Sequence, residues 1–249
     1  MLTSPQNFPA PQMSSSPADQ PPARIAENLL QIRRRIETAA LRHGRDASSV
    51  NLLAVTKQQA AETVRMAAAA GQREFGESYV QEALPKMEEL ADLDVVWHFI
   101  GQLQSNKTRT VAEHFAWVHT VDRLKIAERL SEQRPVGTPP LNICIQVKVA
   151  DETGKGGMPL PEVVSAARSI ALLPRVRLRG LMCIPPPPES FDKQLSYFRE
   201  IASLANRLRD DGIDMDTLSM GMSDDLEAAI AAGATIVRVG TAIFGERAK

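Results

Sequence analysis

The fold is decided by residues 217–240, TLSMGMSDDLEAAIAAGATIVRVG, in which two apolar runs flank one helix-like stretch. The runs TLSMGM (217–222) and TIVRVG (235–240) are short and nearly continuous in apolar character, which is typical of strands buried on both faces of a parallel sheet. Parallel neighbours need a crossover connection between them, usually a helix. The stretch therefore predicts one strand, helix and strand unit of a parallel sheet.

The same unit repeats along most of the chain. Six further strand-like runs precede it: NLLAVTK (51–57), REFGES (73–78), VVWHFIG (95–101), WVHTV (117–121), LNICIQVKV (141–149) and VRLRGLMCI (176–184). Helix-like stretches separate the runs, so eight β units alternate with α units within a length typical of one barrel. We predict an α/β fold, a single (β/α)8 TIM-type barrel. A doubly wound open sheet is the alternative, but no Gly-x-Gly-x-x-Gly follows the first strand.

Two segments precede the first strand. The first 22 residues are rich in Pro, Ser and Gln and carry neither the basic nor the apolar region of a signal peptide. From residue 23, ARIAENLLQIRRRIETAALRHG places apolar residues at helical spacing and ends at Gly44, a suitable C-terminal cap. We therefore predict a disordered tail over residues 1–22 and an extra N-terminal helix that opens a barrel domain over residues 23–249.

Composition restricts the partners of the protein. The 29 basic and 30 acidic residues nearly cancel, so no overall field attracts nucleic acid or anionic lipid. No apolar stretch approaches the roughly 20 residues that span a bilayer. Cys144 and Cys183 both lie in apolar strand-like runs, where a free cysteine behaves as a small hydrophobic residue. These features favour a cytoplasmic protein that binds a small molecule.

The loops after strands 7 and 8 are candidates for binding an anion. In barrels of this type, these two loops frequently form a phosphate site from backbone amides at a helix N-terminus. Gly221 and Gly240 allow close backbone approach, and hydroxyl groups are available from Ser219, Ser223 and Thr241. The alternative is that Ser223 caps the next helix, with Asp224 and Asp225 complementing the helix dipole. Two such loops on successive strands favour the phosphate site, although the two carboxylates oppose it unless they point away.

Two basic residues complete this pattern. Lys57 ends the first strand and can reach the mouth of the barrel, where a desolvated amine can attack a carbonyl; an isolated lysine in this position is more often only a solvated side chain. Arg238 lies in the middle of strand 8, and a buried arginine needs an acceptor. The acceptor could be a structural carboxylate or a ligand. A lysine for an aldehyde, loops for a phosphate and an arginine for a heterocyclic nitrogen together describe a pyridoxal 5'-phosphate (PLP) site.

Long motifs in the chain resemble the pyridoxal phosphate homeostasis proteins, which are PLP-binding barrels related to the N-terminal domain of alanine racemase. The resemblance runs from about residue 51 to 245 and is carried by AVTK, FGESYVQEA, WHFIGQLQSNK, LRGLMCIP, LSMGMSDDLEAAIAAGAT and VRVGTAIFG. It implies that Lys57 holds PLP as a Schiff base and that Arg238 approaches the pyridine nitrogen. Further cofactor contacts are implied for Ser78, Ser223, Gly240 and Thr241. It also implies a monomer with no established reaction, which could deliver PLP to apo-enzymes.

The chain departs from the family pattern at two places. Ser78 stands where the family usually has an asparagine, so its hydrogen bond to a ligand would have a shorter reach. Glycines surround Lys155 in DETGKGG (151–157), where the family tends to carry serines. Lys155 could be a second aldehyde acceptor, although a mobile surface lysine is the simpler interpretation.

Three functions are compatible with these residues: a protein that buffers, stores or delivers PLP, a PLP-dependent racemase, and a Schiff-base aldolase. A racemase needs a second base from an added domain. We expect no such domain after the last strand, and the two tyrosines of the chain are Tyr79 and Tyr197. An aldolase needs a deeper lysine with its own acid or base. We expect a non-catalytic protein, with Tyr79 as the residue most able to contradict this, and we expect His98 to be a core residue.

Overall fold

The computed structural model describes residues 22–149, 156–187 and 190–245. Its sheet is a closed, all-parallel barrel in which each strand pairs with the next along the chain and the eighth pairs with the first. The strands are β1 (Asn51–Val55), β2 (Glu74–Glu77), β3 (Val96–Phe99), β4 (Trp117–Val121), β5 (Leu141–Gln146), β6 (Val176–Met182), β7 (Thr217–Ser219) and β8 (Ile236–Val239). All eight predicted strands and the predicted barrel are therefore confirmed, and the open-sheet alternative is excluded.

Helices alternate with the strands in the described residues. They are α1 (Pro22–Arg42), α2 (Ala61–Ala69), α3 (Val80–Glu89), α4 (Thr108–His114), α5 (Leu124–Gln133), α6 (Leu160–Ala171), α7 (Phe191–Asp210), α8 (Leu226–Ala231) and α9 (Thr241–Phe244). Their apolar faces cover the outside of the barrel, for example through Ile126 and Leu130 of α5 and Phe198 of α7, which are fully buried. This layer explains why the strands have nearly continuous apolar runs, because their outward faces are also buried.

The N-terminal helix α1 packs against α2, α8 and α9. The tail was predicted to include residue 22, but α1 already begins at Pro22, a residue favoured at the first helical position because its missing N–H needs no partner there. Residues 1–21 lie outside the described part of the chain. Asn28 donates to the Ile243 carbonyl at 2.8 Å, and Arg35 donates to the Ser223 carbonyl at 3.0 Å. The helix thereby holds both loops that follow β7 and β8.

Further observations concern membranes, metals and thiols. None of the helices in the described ranges combines the length and apolar character needed to cross a membrane. The same ranges hold no cluster of His, Cys, Asp or Glu side chains suited to a metal ion. Cys144 and Cys183 are free and buried, and burial raises the pKa of each thiol to about 12.

Candidate functional site

A cavity of about 500 Å³ opens at the carboxyl ends of the strands, on the side of the barrel formed by β1 to β3 and β6 to β8. Its lining combines apolar residues such as Val55, Ile100 and Ile184 with a group of polar residues. The polar group includes all six residues singled out in the sequence: Lys57, Ser78, Ser223, Arg238, Gly240 and Thr241. The fold therefore brings the six together in one cavity, because the carboxyl ends of parallel strands meet at the same rim.

Lys57 lies two residues beyond the end of β1, and the backbone on both sides of it is held firmly. On one side, the buried Thr56 donates its amide to the Gly76 carbonyl at 2.9 Å. On the other, Gln58 has a φ of 62°, a conformation uncommon for a residue with a side chain. The Gln58 amide donates to the Glu82 carboxylate of α3 at 3.0 Å. These contacts direct the lysine side chain into the cavity and stabilise the turn that follows it.

A buried ion pair lies beneath this turn. Lys86 of α3 contacts Glu77 of β2 at 2.5 Å and donates to the Thr56 carbonyl at 2.9 Å. The Thr56 hydroxyl donates to the same Glu77 carboxylate at 2.6 Å. Lys86 and Glu77 are both buried, and the Oε2 atom of Glu77 has no hydrogen-bond partner among the described residues. The pair connects β1, β2 and α3 directly below Lys57, and sequence reasoning did not identify it.

Ser78 follows β2 and is packed against the residue that follows β3 by two positions. A Cβ atom built on Gly101 would lie 1.9 Å from the Ser78 carbonyl oxygen, a distance at which no side chain fits. Gly101 also accepts a hydrogen bond from the buried Thr120 hydroxyl at 2.6 Å. The backbone of Ser78 is thereby held at the wall of the cavity, and its short side chain is what distinguishes it from the asparagine of the family pattern.

Arg238 lies on β8 and is buried, with one face of its side chain on the cavity. Its Nη1 atom donates to the Ser219 carbonyl and hydroxyl oxygens at 2.7 and 2.8 Å, and its Nη2 atom donates to the Cys183 carbonyl at 2.9 Å. Within the described residues no carboxylate forms an ion pair with it, so the structural carboxylate considered above is not its partner. Burial lowers the pKa of Arg238, but a guanidinium stays protonated in proteins.

The loops after β7 and β8 form the opposite edge of the cavity. Ser223 does not cap α8: the cap position is Asp225, whose carboxylate accepts from the Met222 amide at 2.6 Å. Asp225 is buried and burial raises its pKa, whereas Asp224 is exposed and also lines the cavity. Because first-turn amides have no acceptor inside their own helix, Thr241 at the start of α9 can present its N–H here. The edge thus offers hydroxyl and amide donors beside one exposed carboxylate.

The glycines of these loops fulfil packing requirements. Gly221 has a φ of 96°, and a Cβ atom on it would come within 2.5 Å of Ala229. A Cβ atom on Gly240 would lie 3.2 Å from the Val55 carbonyl of β1. Gly221 therefore allows close packing of the loop on α8, and Gly240 allows the close approach of β8 to β1.

Other residues from the sequence analysis lie elsewhere. Ser219, considered as a phosphate donor, is fully buried beneath Arg238, and Tyr79 is half-exposed and does not line the cavity. Tyr197 lies on α7 under the ammonium of Lys193. His98 is buried, as predicted for a core residue, but it belongs to a polar chain with His119, which sequence reasoning missed. The interpretation of Lys155 lies outside the described residues.

The fold and the cavity define a class of barrel with a lysine at the end of its first strand and an arginine on its last. The family described as "Alanine racemase, N-terminal domain" matches residues 23–248. A protein of Pseudomonas aeruginosa named "Pyridoxal phosphate homeostasis protein" is 56% identical over 223 residues, covering 90% of this chain and 96% of its own. The protein of that name in Escherichia coli K12 is 52% identical over 226 residues, covering 90% and 97%. The chain belongs to the pyridoxal phosphate homeostasis proteins of the alanine racemase N-terminal domain family.

Similar solved structures include one of a relative with PLP bound. PipY of Synechococcus elongatus PCC7942, solved with PLP bound, is 38% identical and superposes with a TM-score of 0.79, covering 89% of this chain and all of PipY. Alanine racemase of Corynebacterium glutamicum is 18% identical, with a TM-score of 0.67, and this chain covers 61% of it. The likeness to the racemase is therefore a likeness of fold.

Proposed function

We propose that this protein binds PLP and acts in its homeostasis by buffering, storing or delivering the cofactor. The observation that carries the proposal is one cavity that contains a lysine amine, a buried guanidinium with no carboxylate partner among the described residues, and a donor-rich loop edge. These are the three groups needed for an aldehyde, a ring nitrogen and a phosphate. The PLP named in the structure of PipY, a relative covered over its full length, supports the same ligand.

The residues of the cavity fit PLP group by group. Lys57 is the proposed covalent attachment point, through its Nζ atom. Arg238 keeps N–H groups on Nε and Nη2 beyond the three hydrogen bonds that it donates to protein oxygens, and these suit a ring nitrogen. Proposed phosphate contacts come from Ser223, Gly240 and Thr241, and Ser78 is a proposed contact at the side of the ring.

We also propose that the protein is not an efficient enzyme. When bound, PLP supplies an aldehyde for attachment and a ring that accepts electrons from a reacting amino acid. Arg238 does not readily give up a proton, so it leaves the ring nitrogen unprotonated and the ring a poorer electron acceptor. Among the residues that line the cavity, Lys57 and the exposed carboxylate of Asp224 are able to act as bases, and Tyr79 does not line it. The names of the relatives support a homeostatic role.

Three further statements belong to this proposal. The protein acts as a monomer, and its partners beyond PLP are PLP-dependent apo-enzymes. It works in the cytoplasm, which the two free thiols support because reducing compartments preserve them. The racemase function is the alternative, supported by the shared fold alone, and incubation with L- and D-alanine tests it. Turnover near about 10 per second, the median for enzymes, would favour the racemase.

The decisive experiment tests in one procedure whether the protein binds PLP and which lysine carries it. The purified protein is titrated with PLP while its absorption spectrum is recorded, reduced with borohydride, and digested for peptide mapping. We expect a visible band and modification of Lys57, and we expect Lys57→Ala to lose both while it remains folded. The exposed Lys125, whose side chain is 68% accessible, provides the matched control Lys125→Ala. Modification of another lysine in the wild type would reject the assignment.

The phosphate edge is tested separately with Ser223→Ala and with pyridoxal, which lacks the phosphate. A hydrogen bond to a charged group contributes about 1.5 to 3 kcal/mol, so Ser223→Ala should weaken PLP binding by that amount. Pyridoxal should bind wild type and variant alike, and much more weakly than PLP. Equal affinities for pyridoxal and PLP in the wild type would show that these loops do not bind phosphate.

A further inference from the structure

A chain of polar side chains, hydrogen-bonded from Arg238 to His98 and directed towards Glu74, crosses the interior of the barrel. The Ser219 hydroxyl lies 2.8 Å from Nη1 of Arg238 and 2.7 Å from Nδ1 of His119. Nε2 of His119 lies 2.9 Å from Nδ1 of His98, and Nε2 of His98 lies 3.8 Å from a carboxylate oxygen of Glu74. The chain thus runs from β8 through β7, β4 and β3 to β2, and its last member is partly exposed.

Such a chain is unusual filling for a barrel. The interior of a (β/α)8 barrel is dominated by branched apolar side chains, and buried polar groups are costly unless each has a partner. His98, His119 and Ser219 are fully buried. His98 also stacks on the Trp117 ring, with centroids 5.3 Å apart and planes 7° from parallel. An apolar layer would fill this space without that cost, so the chain calls for a functional explanation.

The hydrogen bonds of the chain have one self-consistent direction. A guanidinium can only donate, so the Ser219 oxygen accepts from Arg238 and its own proton is available for Nδ1 of His119. His119 is then neutral with its proton on Nε2, which it donates to Nδ1 of His98. His98 in turn carries its proton on Nε2, which faces Glu74 across 3.8 Å and makes no hydrogen bond within the described residues. Each bond donates away from the arginine.

The reverse direction of the hydrogen bonds would leave the Ser219 hydroxyl proton without an acceptor among the residues that the structure describes. If Nδ1 of His119 donated to Ser219, the serine oxygen would accept twice and its hydroxyl proton would have no acceptor within the described residues. A protonated His119 would place a second positive charge beside Arg238. Burial and the charge of Arg238 both lower the pKa of His119, and burial lowers that of His98 to about 3, so both rings are neutral.

This direction decides what Arg238 presents to the cavity. The two hydrogens of Nη1 are directed to the Ser219 carbonyl and hydroxyl oxygens, and one hydrogen of Nη2 is directed to the Cys183 carbonyl. The guanidinium plane is therefore fixed by protein acceptors on one side. The hydrogens that remain are those of Nε and Nη2, on the side chain that lines the cavity.

We propose that Ser219, His119 and His98 are positioning residues for Arg238, a one-way chain of neutral donors that fixes the guanidinium so that its remaining N–H groups meet the ring nitrogen of PLP. The proposal rests on the proposed function for its ligand. The direction of the chain belongs to the protein itself and can be tested without any ligand.

The first test is nitrogen NMR of the wild-type protein with labelled histidines at neutral pH. We expect His119 and His98 each to show an unprotonated Nδ1 and a protonated Nε2. In Ser219→Ala, His119 loses the donor to Nδ1 and its resonances should move, while the exposed His114 should not change. A protonated Nδ1 on His119, or a doubly protonated ring, would overturn the chain even if PLP binds.

The second test compares PLP with 1-deaza-PLP, in which a carbon replaces the ring nitrogen. The variants are Ser219→Ala, which removes the first link, and His98→Phe, which keeps the stacking on Trp117 but removes the acceptor of His119. Each should bind PLP about three- to tenfold more weakly and 1-deaza-PLP nearly as well as wild type does. The matched control is Ser131→Ala, a buried serine on α5 outside the barrel interior, which should change neither affinity.

Equal losses for the two ligands would mean a purely structural role for the chain and would overturn the proposal, as would unchanged PLP affinity in both variants. If wild-type protein fails to bind PLP while its histidines show the expected protonation, the chain stands and the proposed function fails. The two ideas can therefore be rejected independently.

Discussion

Two buried polar clusters lie beneath the mouth of the barrel, and they compensate the cost of a buried charge in different ways. Below Lys57, Lys86 and Glu77 form an ion pair whose charges cancel locally. Below Arg238, uncharged groups from Ser219 to His98 surround a single positive charge that has no carboxylate partner among the described residues. In the first cluster each charge is matched by the other, although Oε2 of Glu77 accepts no hydrogen bond within the described residues. The second leaves its charge available to the cavity, and so we attribute stability to the first and ligand recognition to the second.

Among the variants that distinguish the roles of the two clusters, Lys86→Met should cause the largest loss in the free energy of unfolding. Removal of one partner leaves the Glu77 carboxylate buried without its cation, which typically costs about 3 to 5 kcal/mol. Chemical denaturation at neutral pH should show a loss of this size in the free energy of unfolding. A loss below that of an exposed ion pair would contradict the structural role.

Two further variants are the controls for this measurement. Arg65→Ala breaks the exposed pair with Asp92 and should cost far less than Lys86→Met, because solvent screens an exposed ion pair. The double variant Glu77→Gln with Lys86→Met removes both charges while Gln keeps an acceptor for Thr56, and it should recover much of the stability lost in Lys86→Met.

The second largest effect is the loss of folding stability at low pH, which follows from the two neutral histidines of the chain. Burial holds the pKa of His98 at about 3 and that of His119 well below its usual value, so the unfolded protein binds more protons than the folded one as pH falls below about 6.5. Stability is therefore fully present above that pH and is lost on acidification, and for His98 the loss between pH 7 and pH 5 is about 2 kcal/mol.

His98→Phe should remove one of these two contributions, so its unfolding free energy should fall less steeply over the same pH range. Denaturation curves at pH 7, 6 and 5 measure the slope, and His114→Ala provides an exposed histidine for comparison. The idea of a neutral chain would be wrong if His98→Phe and wild type had the same slope.

The smallest effect is expected at Glu74, where the neutral chain ends. Burial raises the pKa of this carboxyl, so its ionised form costs stability at pH values above its folded pKa. Glu74→Gln removes that charge and should stabilise the protein at pH 7, by less than either of the two effects above. The gain should vanish at pH 4, and a clear loss of stability at pH 7 would show that the 3.8 Å approach to His98 matters more than burial.

The barrel and the outline of its cavity follow from the sequence for physical reasons. Buried parallel strands need apolar residues on both faces, and crossover helices separate these strands at regular intervals. The eight strand-like runs could therefore be recognised in the sequence without knowledge of tertiary contacts. Because parallel strands deliver their carboxyl ends to one rim, Lys57 and Arg238 could be expected to share a cavity. The PLP assignments of the individual residues remain predictions.

The polar chain inside the barrel, in contrast, was not predicted from the sequence. Ser219 was considered as a phosphate donor of the loop after strand 7, although it lay within the predicted strand run 217–222; β7 ends at Ser219, and the side chain is buried. The ion pair of Lys86 depends on which face of α3 meets β2, and helical spacing alone did not reveal it. A usable signal was present, however: His98, His119 and Arg238 are polar residues in the middle of otherwise apolar strands. Their positions on β3, β4 and β8 point to a common interior.

The contact of Gly101 with Ser78 has a genetic consequence. Every amino acid other than glycine carries a Cβ atom, and that atom would overlap the Ser78 carbonyl at 1.9 Å. Relief by movement of Ser78 would shift the cavity wall, and relief by movement of Gly101 would shift the acceptor of Thr120. In a saturation mutagenesis library under selection, codon 101 should therefore retain synonymous changes alone, while the neighbouring exposed codon 102 accepts many replacements.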